Sequence, residues 1–145
     1  MSKTVQRYLA EIGRRGGARS RRELSTEQAR AMVARREARR CLREFERAAQ
    51  QLALTDAPGY ELVLPGMRDL VDGRSTNEAL LVSIAAPRLQ LLGIRVPPAI
   101  ADAEEQLFER LTTEHGDGAH ARYNALIRRL VSFTRIVPVL RRAHA

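Results

Sequence analysis

Aromatic residues, cysteines and long apolar runs are all scarce in this sequence. Its 145 residues include no tryptophan, three phenylalanines, three tyrosines and one cysteine. The lone Cys41 cannot form an intramolecular disulfide, and one cysteine with three scattered histidines does not make a zinc framework. The apolar runs are only a few residues long, far short of the ~20 that a transmembrane helix needs. The first residues also lack the apolar segment of a signal peptide. We therefore expect a cytoplasmic protein without a metal or other cofactor.

The remaining composition favours a helical fold. Apolar residues make up 44% of the chain, which is enough for a hydrophobic core, but aromatics contribute only 4%. The core must therefore consist mainly of Leu, Ile, Val and Ala. Residues 61–65 are the only strand candidate, and they are too short to form a sheet alone. We predict an all-α protein with a basic helical arm over residues 1–57 and a compact helical bundle over residues 58–145.

The net charge of +8 lies entirely in the first third of the chain. Residues 1–50 contain 14 basic and six acidic residues, whereas residues 51–145 contain 11 of each. Such asymmetry favours an arm that binds a polyanion or an acidic partner surface. The alternative is an ordinary solvated helix face, which is the commonest role of a run of charges.

The basic arm is predicted to contain two helices separated by a glycine turn. Apolar side chains at helical spacing predict the first helix over residues 3–12: Val5, Tyr8, Leu9 and Ile12. We expect Gly13, Gly16 and Gly17 to end this helix. Ser25 or Thr26 should open a second helix of about 25 residues, with Gln28 near the capping-box position. Its apolar stripe from Met32 to Leu52 is expected to pack on the bundle.

Prolines and glycines divide the second half into shorter helices. We expect one helix to begin at Pro65, and another to be capped by Ser75 or Thr76. A helix over residues 102–114 should turn Phe108 toward the core. A final helix over residues 119–136 should end before Pro138, because proline disrupts a helix interior.

Signatures of catalysis are missing from the sequence. It has no HExxH, GxSxG, Walker or CxxC motif, and the glycines at 13–17 lack the strand that precedes a phosphate-binding loop. His115 and His120 flank Asp117 in a pattern typical of exposed surface residues. Cys41 lies on the apolar face of the second helix, where we expect a buried, unreactive thiol. We predict that the protein is not an enzyme.

The candidate binding residues fall into two groups. The first surrounds the glycine turn: Arg14, Arg15, Gly16, Gly17, Arg19, Arg21 and Arg22. The second follows the long helix: Arg36, Arg40 and Arg43. Residues 14–22 include no acid, whereas Glu37 and Glu44 can form helix pairs with the second group, worth ~0.3–0.5 kcal/mol each. The near absence of aromatics in the arm disfavours base stacking on single strands.

Residues 11–40 resemble the glycine–glycine basic motif of small bacterial proteins. The matching residues are Ile12, Gly13, Arg15, Gly16, Gly17, Ser20, Arg21, Leu24, Ala29 and Arg30. Residues 78–97 and 121–133 are similar to a family of bacterial helical proteins. Both segments resemble small partners of nucleotidyltransferase-type toxins of the abortive-infection class. The resemblance implies a neutralising or regulatory protein rather than a catalyst.

Two functions remain open from the sequence. In the first, an antitoxin-like protein inserts its arginine-rich arm into an acidic or nucleotide-binding cleft of a partner toxin. In the second, a transcriptional regulator uses the same arm to bind nucleic acid. We expect a protein partner or a nucleic acid, and no membrane.

Overall fold

The computed structural model describes residues 3–20 and 24–145, with residues 18–20 described by their backbone alone. The described residues form six α-helices and no strand, which confirms the all-α prediction. The helices are α1 (Lys3–Ser20), α2 (Thr26–Gln51), α3 (Tyr60–Val71), α4 (Asn77–Leu91), α5 (Ala103–His115) and α6 (Ala119–Ala143). Short 3-10 turns at Leu54–Asp56 and Gly116–Gly118 precede α3 and α6.

The chain divides into two compact units, residues 1–33 and residues 34–145. The sequence suggested a division at 57/58 instead. The difference arises because the second half of α2 supplies Phe45 and Ala49 to the core of the second unit. Met32 and Val33, which we expected to pack, are 52% and 59% exposed. That expectation was wrong for these two residues, since helical spacing defines a face but not how far along the helix the face is covered.

Two predicted helix starts are confirmed by their hydrogen bonds. The Ser25 amide donates to Gln28 Oε1 and the Gln28 amide donates to Ser25 Oγ, each at 3.1 Å. This reciprocal pair is a capping box at the start of α2. Thr76 Oγ1 accepts a hydrogen bond from the Ala79 amide at 3.1 Å and donates to Asp69 Oδ2 at 2.6 Å. Thr76 thus caps α4 and links it to α3.

Three of the helix boundaries predicted at glycine or proline were wrong. Helix α1 continues through its three glycines to Ser20, α3 begins at Tyr60 and contains Pro65, and α6 contains Pro138. The φ of proline is compatible with a helix. Proline lacks an amide hydrogen and crowds the carbonyl of the preceding turn, but the hydrogen bonds and packing of the flanking turns can keep it inside a helix. Glycine lowers helix propensity without preventing the helical conformation.

A close approach of α3 and α4 defines the middle of the second unit. A Cβ atom at Gly66 would overlap the carbonyl oxygen of Glu78 and lie 2.5 Å from Val82 Cγ2. Only glycine therefore permits this helix spacing. Large side chains less than 2% exposed fill the surrounding core, among them Leu54, Met67, Leu80, Leu81, Leu89, Leu107, Leu111 and Phe133.

Three aromatic rings join α2, α3 and α6. The Phe45 ring stacks on Tyr60 with centroids 6.1 Å apart, and it lies 6.4 Å from the Phe133 ring at a tilt of 59°. Phe45 is only 2% exposed. We call these three residues the aromatic joint, and they attach the second half of α2 to the bundle.

Replacing Phe45 by alanine should lower the free energy of unfolding by ~3–5 kcal/mol, because a large buried ring is lost and a cavity remains. Urea denaturation followed by circular dichroism measures the change. Met32→Ala on the exposed part of the same helix is the control and should stay within ~0.5 kcal/mol of the parent. Equal effects of the two substitutions would contradict the packing described above.

Two glycines inside helices should respond oppositely to alanine. Gly66→Ala forces α3 and α4 apart and should destabilise the main unfolding transition by ~1–3 kcal/mol. Gly13→Ala meets open space and should raise the helix content of α1 while leaving the main transition unchanged. Thermal melting by circular dichroism distinguishes the two. A Gly66→Ala variant with parental stability would contradict the close approach.

Candidate partner-binding surface

The first group of candidate residues lies on a helix rather than on a turn. Arg14, Arg15, Gly16 and Gly17 are all part of α1. The glycine turn predicted at residues 13–17 was therefore wrong, and amide groups inside a helix donate to carbonyls one turn earlier instead of to a ligand. The described part of Arg19 is its backbone, also in α1, and Arg21 and Arg22 lie outside the described residues.

An exposed apolar stripe runs along α1. Val5, Tyr8, Leu9 and Ile12 are 46%, 66%, 54% and 50% exposed, respectively. Their spacing of three and four residues places them on one face of the helix. The predicted amphipathic character of this segment is therefore confirmed, and its apolar face is open to solvent. We call these four residues the α1 stripe.

Cations dominate the rest of α1. Arg15 pairs with Glu11 at 3.0 Å, an exposed pair worth at most ~0.5 kcal/mol. Arg7 and Arg14 form no ion pair within the described part of the chain. The helix carries five basic residues against this one acid. Its charge is thus available to an acidic partner.

Gly13 and Gly16 expose the backbone of α1 at two positions. A Cβ atom at either position would have no neighbour within 4 Å. Each glycine costs ~0.8–1.0 kcal/mol of helix propensity relative to alanine, and no contact within 4 Å requires either one. At 100° per residue, Gly16 lies beside Leu9 and Ile12, where another chain could approach the helix backbone closely.

The second group of arginines lies on the exposed face of α2. Arg36, Arg40 and Arg43 follow a spacing that places them opposite the buried side chains of Cys41 and Phe45. Glu44 accepts a hydrogen bond from Arg40 Nε at 3.1 Å. The sequence predicted such a helix pair between Glu44 and an arginine of this group. This group belongs to the unit of residues 34–145, whereas the first group belongs to the unit of residues 1–33.

Arg95 is a cation that sequence reasoning missed. Its guanidinium lies 3.2 Å from Glu37 and 3.3 Å from Glu44, although it is more than 50 residues away in sequence. The hydrogen bond to Glu37 raises the pKa of Arg95, with further contributions from its other neighbours. The two glutamates therefore hold the loop before α5 against α2, and Glu44 also pairs with Arg40 within α2.

The Cys41 thiol lies in the interior, as predicted. Its side chain is 5% exposed, and burial raises the pKa of the thiol. Glu44 and Glu37 raise it further, against the opposing effect of Arg95. His115 is exposed, as predicted, and lies 3.7 Å from Glu114.

Phe108 is exposed, which corrects the expectation that it turns inward. Its side chain is 43% exposed and packs edge-on against Tyr123, with ring centroids 6.0 Å apart. The two rings line a shallow groove together with Glu104, Glu105 and Glu109. We call these five residues the acidic–aromatic surface. The sequence pattern could have indicated it, since α5 carries adjacent glutamates on the same side as Phe108.

The raised pKa of Cys41 predicts slow reaction with thiol reagents in the folded protein. Only the thiolate reacts, and an elevated pKa means that less thiolate is present at pH 8 than in the unfolded chain. Labelling with a chromogenic disulfide at pH 8 should be slow in buffer and fast in denaturant. Equal rates in both conditions would contradict the burial of this thiol.

No family model, no curated protein and no solved structure matches the chain. Within residues 3–20 and 24–145, no helix combines the length and hydropathy needed to cross a membrane. The same residues contain no cluster of three or more metal-ligating side chains.

Proposed function

We propose that this protein is a non-enzymatic, antitoxin-like regulator that binds and neutralises a partner toxin through its arginine-rich arm. The observation that carries the proposal is the α1 stripe, an apolar helix face that is about half exposed along its whole length. The resemblance of residues 11–40 to small partners of nucleotidyltransferase-type toxins supplies the kind of partner.

The α1 stripe supports a protein partner. An amphipathic helix that inserts its apolar face into a groove uses anchors at positions i, i+3, i+4 and i+7. Val5, Tyr8, Leu9 and Ile12 have this spacing. Phosphates offer nothing to an apolar face, whereas a groove on another protein would remove these side chains from water at ~25 cal/mol per Å² of apolar area.

The net positive charge of α1 supports an acidic surface around the groove on that partner. Arg14 and Arg7 have no competing carboxylate within ion-pair distance among the described residues. Arginine side chains at the edge of an interface steer encounter and fix its orientation more than they add affinity. In a toxin, arginines placed over an acidic or nucleotide-binding cleft would cover its entrance and block its substrate.

A nucleic-acid-binding regulator is the second candidate. The observation that favours it is the row of arginines along the exposed face of α2, of which Arg36 and Arg43 form no ion pair within the described residues. Several cations on one helix face suit contacts with successive phosphates. Antitoxin-like proteins of this charge can serve both functions if they also bind their own promoter.

Affinity purification from the native host, followed by mass spectrometry, supplies the partner for a quantitative test. Titration calorimetry should then show unequal effects along α1. Tyr8→Ala and Leu9→Ala should each cost ~2 kcal/mol or more of binding free energy, as anchors in a groove do. Gln6→Ala, on another face of α1, is the matched control and should have almost no effect. If expression of the partner arrests growth, co-expression of the parent protein should restore growth, and co-expression of the Tyr8→Ala variant should not.

The quadruple change of Arg14, Arg15, Arg19 and Arg21 to glutamine distinguishes the two candidates. If the arm binds nucleic acid, affinity should fall equally on all sequences, and the salt slope should drop by roughly one unit per lost phosphate contact. If it binds a protein groove, the salt dependence should be weaker and the α1 stripe should dominate. Unchanged affinity in every variant, for every partner found, would contradict both candidates.

A further inference from the structure

The acidic–aromatic surface on α5 is the second unpartnered face of the molecule. Phe108 is 43% exposed although it is large and apolar, and the groove that it shares with Tyr123 is open to solvent. Glu104, Glu105 and Glu109 are exposed around it. An exposed phenylalanine beside a half-buried tyrosine, with a rim of one charge, is typical of an interaction site rather than of a solvated helix face.

The negative charge of this surface is not compensated locally. Residues 102–117 contain six acidic residues and a single arginine, Arg110. That guanidinium donates to the Ser75 carbonyl and to Ser75 Oγ instead, the latter at 2.9 Å. Glu104, Glu105 and Glu109 have no ion pair within the described ranges. The pKa of Tyr123 is raised by burial and then by Glu104.

Helix α1 of the same sequence has the complementary properties. It exposes the α1 stripe, including the Tyr8 ring, and Arg15, one turn after Ile12, lies at the edge of this stripe. Arginine is attracted to aromatic faces as well as to carboxylates. The α1 stripe and its neighbouring arginine therefore match the acidic–aromatic surface in apolar character and in charge.

We infer that the acidic–aromatic surface of one copy binds α1 of a second copy of this chain. Every copy carries both halves of this contact, so two copies can exchange their α1 helices in a closed, symmetric dimer. The inference rests on the proposed function in that α1 is also the helix that binds the partner. Self-association would then shield the α1 stripe until a partner with a better groove displaces the second copy.

Sedimentation velocity of the full-length protein at several concentrations and salt levels tests the contact. The parent should form dimers at low salt and dissociate at high salt, because screening weakens the charged rim. Glu105→Gln with Glu109→Gln should weaken dimerisation by about tenfold or more. The matched control is Glu114→Gln with Asp117→Asn, which removes the same charge next to the surface but outside it and should dimerise like the parent.

A mixing experiment makes the test specific. Arg14→Glu with Arg15→Glu disables the helix half, and Glu105→Arg with Glu109→Arg disables the surface half. Each variant alone should be monomeric, whereas an equal mixture should form heterodimers through the one remaining intact pair. Melting by circular dichroism establishes that both variants are folded, and Phe108→Ser provides a second way to disable the surface without changing charge.

Two results would overturn the inference. The first is a parent protein that stays monomeric at low salt, which would mean that a second copy does not bind this surface. The second is self-association that is unchanged in all of these variants, which would mean that the copies contact each other through other residues. Neither result touches the proposed function, because Glu105→Arg with Glu109→Arg leaves α1 intact for partner binding. Conversely, loss of partner binding in the Tyr8 variant can be measured whether or not the parent dimerises.

Discussion

The packing of Phe45 between Tyr60 and Phe133 is the contact on which the rest of this structure depends. It uses three of the chain's six aromatic residues. Because this ring is buried, the face of α2 around it turns to the core and the arginines on the opposite face turn to solvent. The exposure of the α2 arginines thus follows from the burial of the opposite face, which includes Phe45. The other three aromatics, Tyr8, Phe108 and Tyr123, lie on the two surfaces that we assign to binding.

Much of the fold could be predicted because helical spacing and capping are local properties. The capping box of Ser25 and Gln28 and the cap at Thr76 need only a few neighbouring residues to form. Helix ends were harder to predict. Pro65 and Pro138 lower the stability of their helices, but the packing of the flanking turns can offset this loss of free energy. The three glycines of α1 lack the left-handed conformation that ends a helix, so they only weaken it.

The candidate site could be predicted in part. The arginines follow from composition, and the α1 stripe follows from spacing. Its exposure could not be predicted, because periodicity identifies an apolar face without saying what covers it. The same limit explains Met32 and Val33, which continue the apolar face of α2 beyond the end of the core, and Phe108, which lies at the side of the buried face of α5. The pairing of Arg95 with Glu37 depends on a contact between distant segments, and no local pattern encodes it.

The glycines inside α1 also give the protein a thermal property. Helix formation in a segment of 18 residues is weakly cooperative, and heating shifts it toward coil. Gly13 and Gly16 lower the temperature at which this happens, since each reduces the tendency to remain helical. The core of residues 34–145 does not share this weakness. Heating should therefore unfold α1 at a lower temperature than the core of residues 34–145.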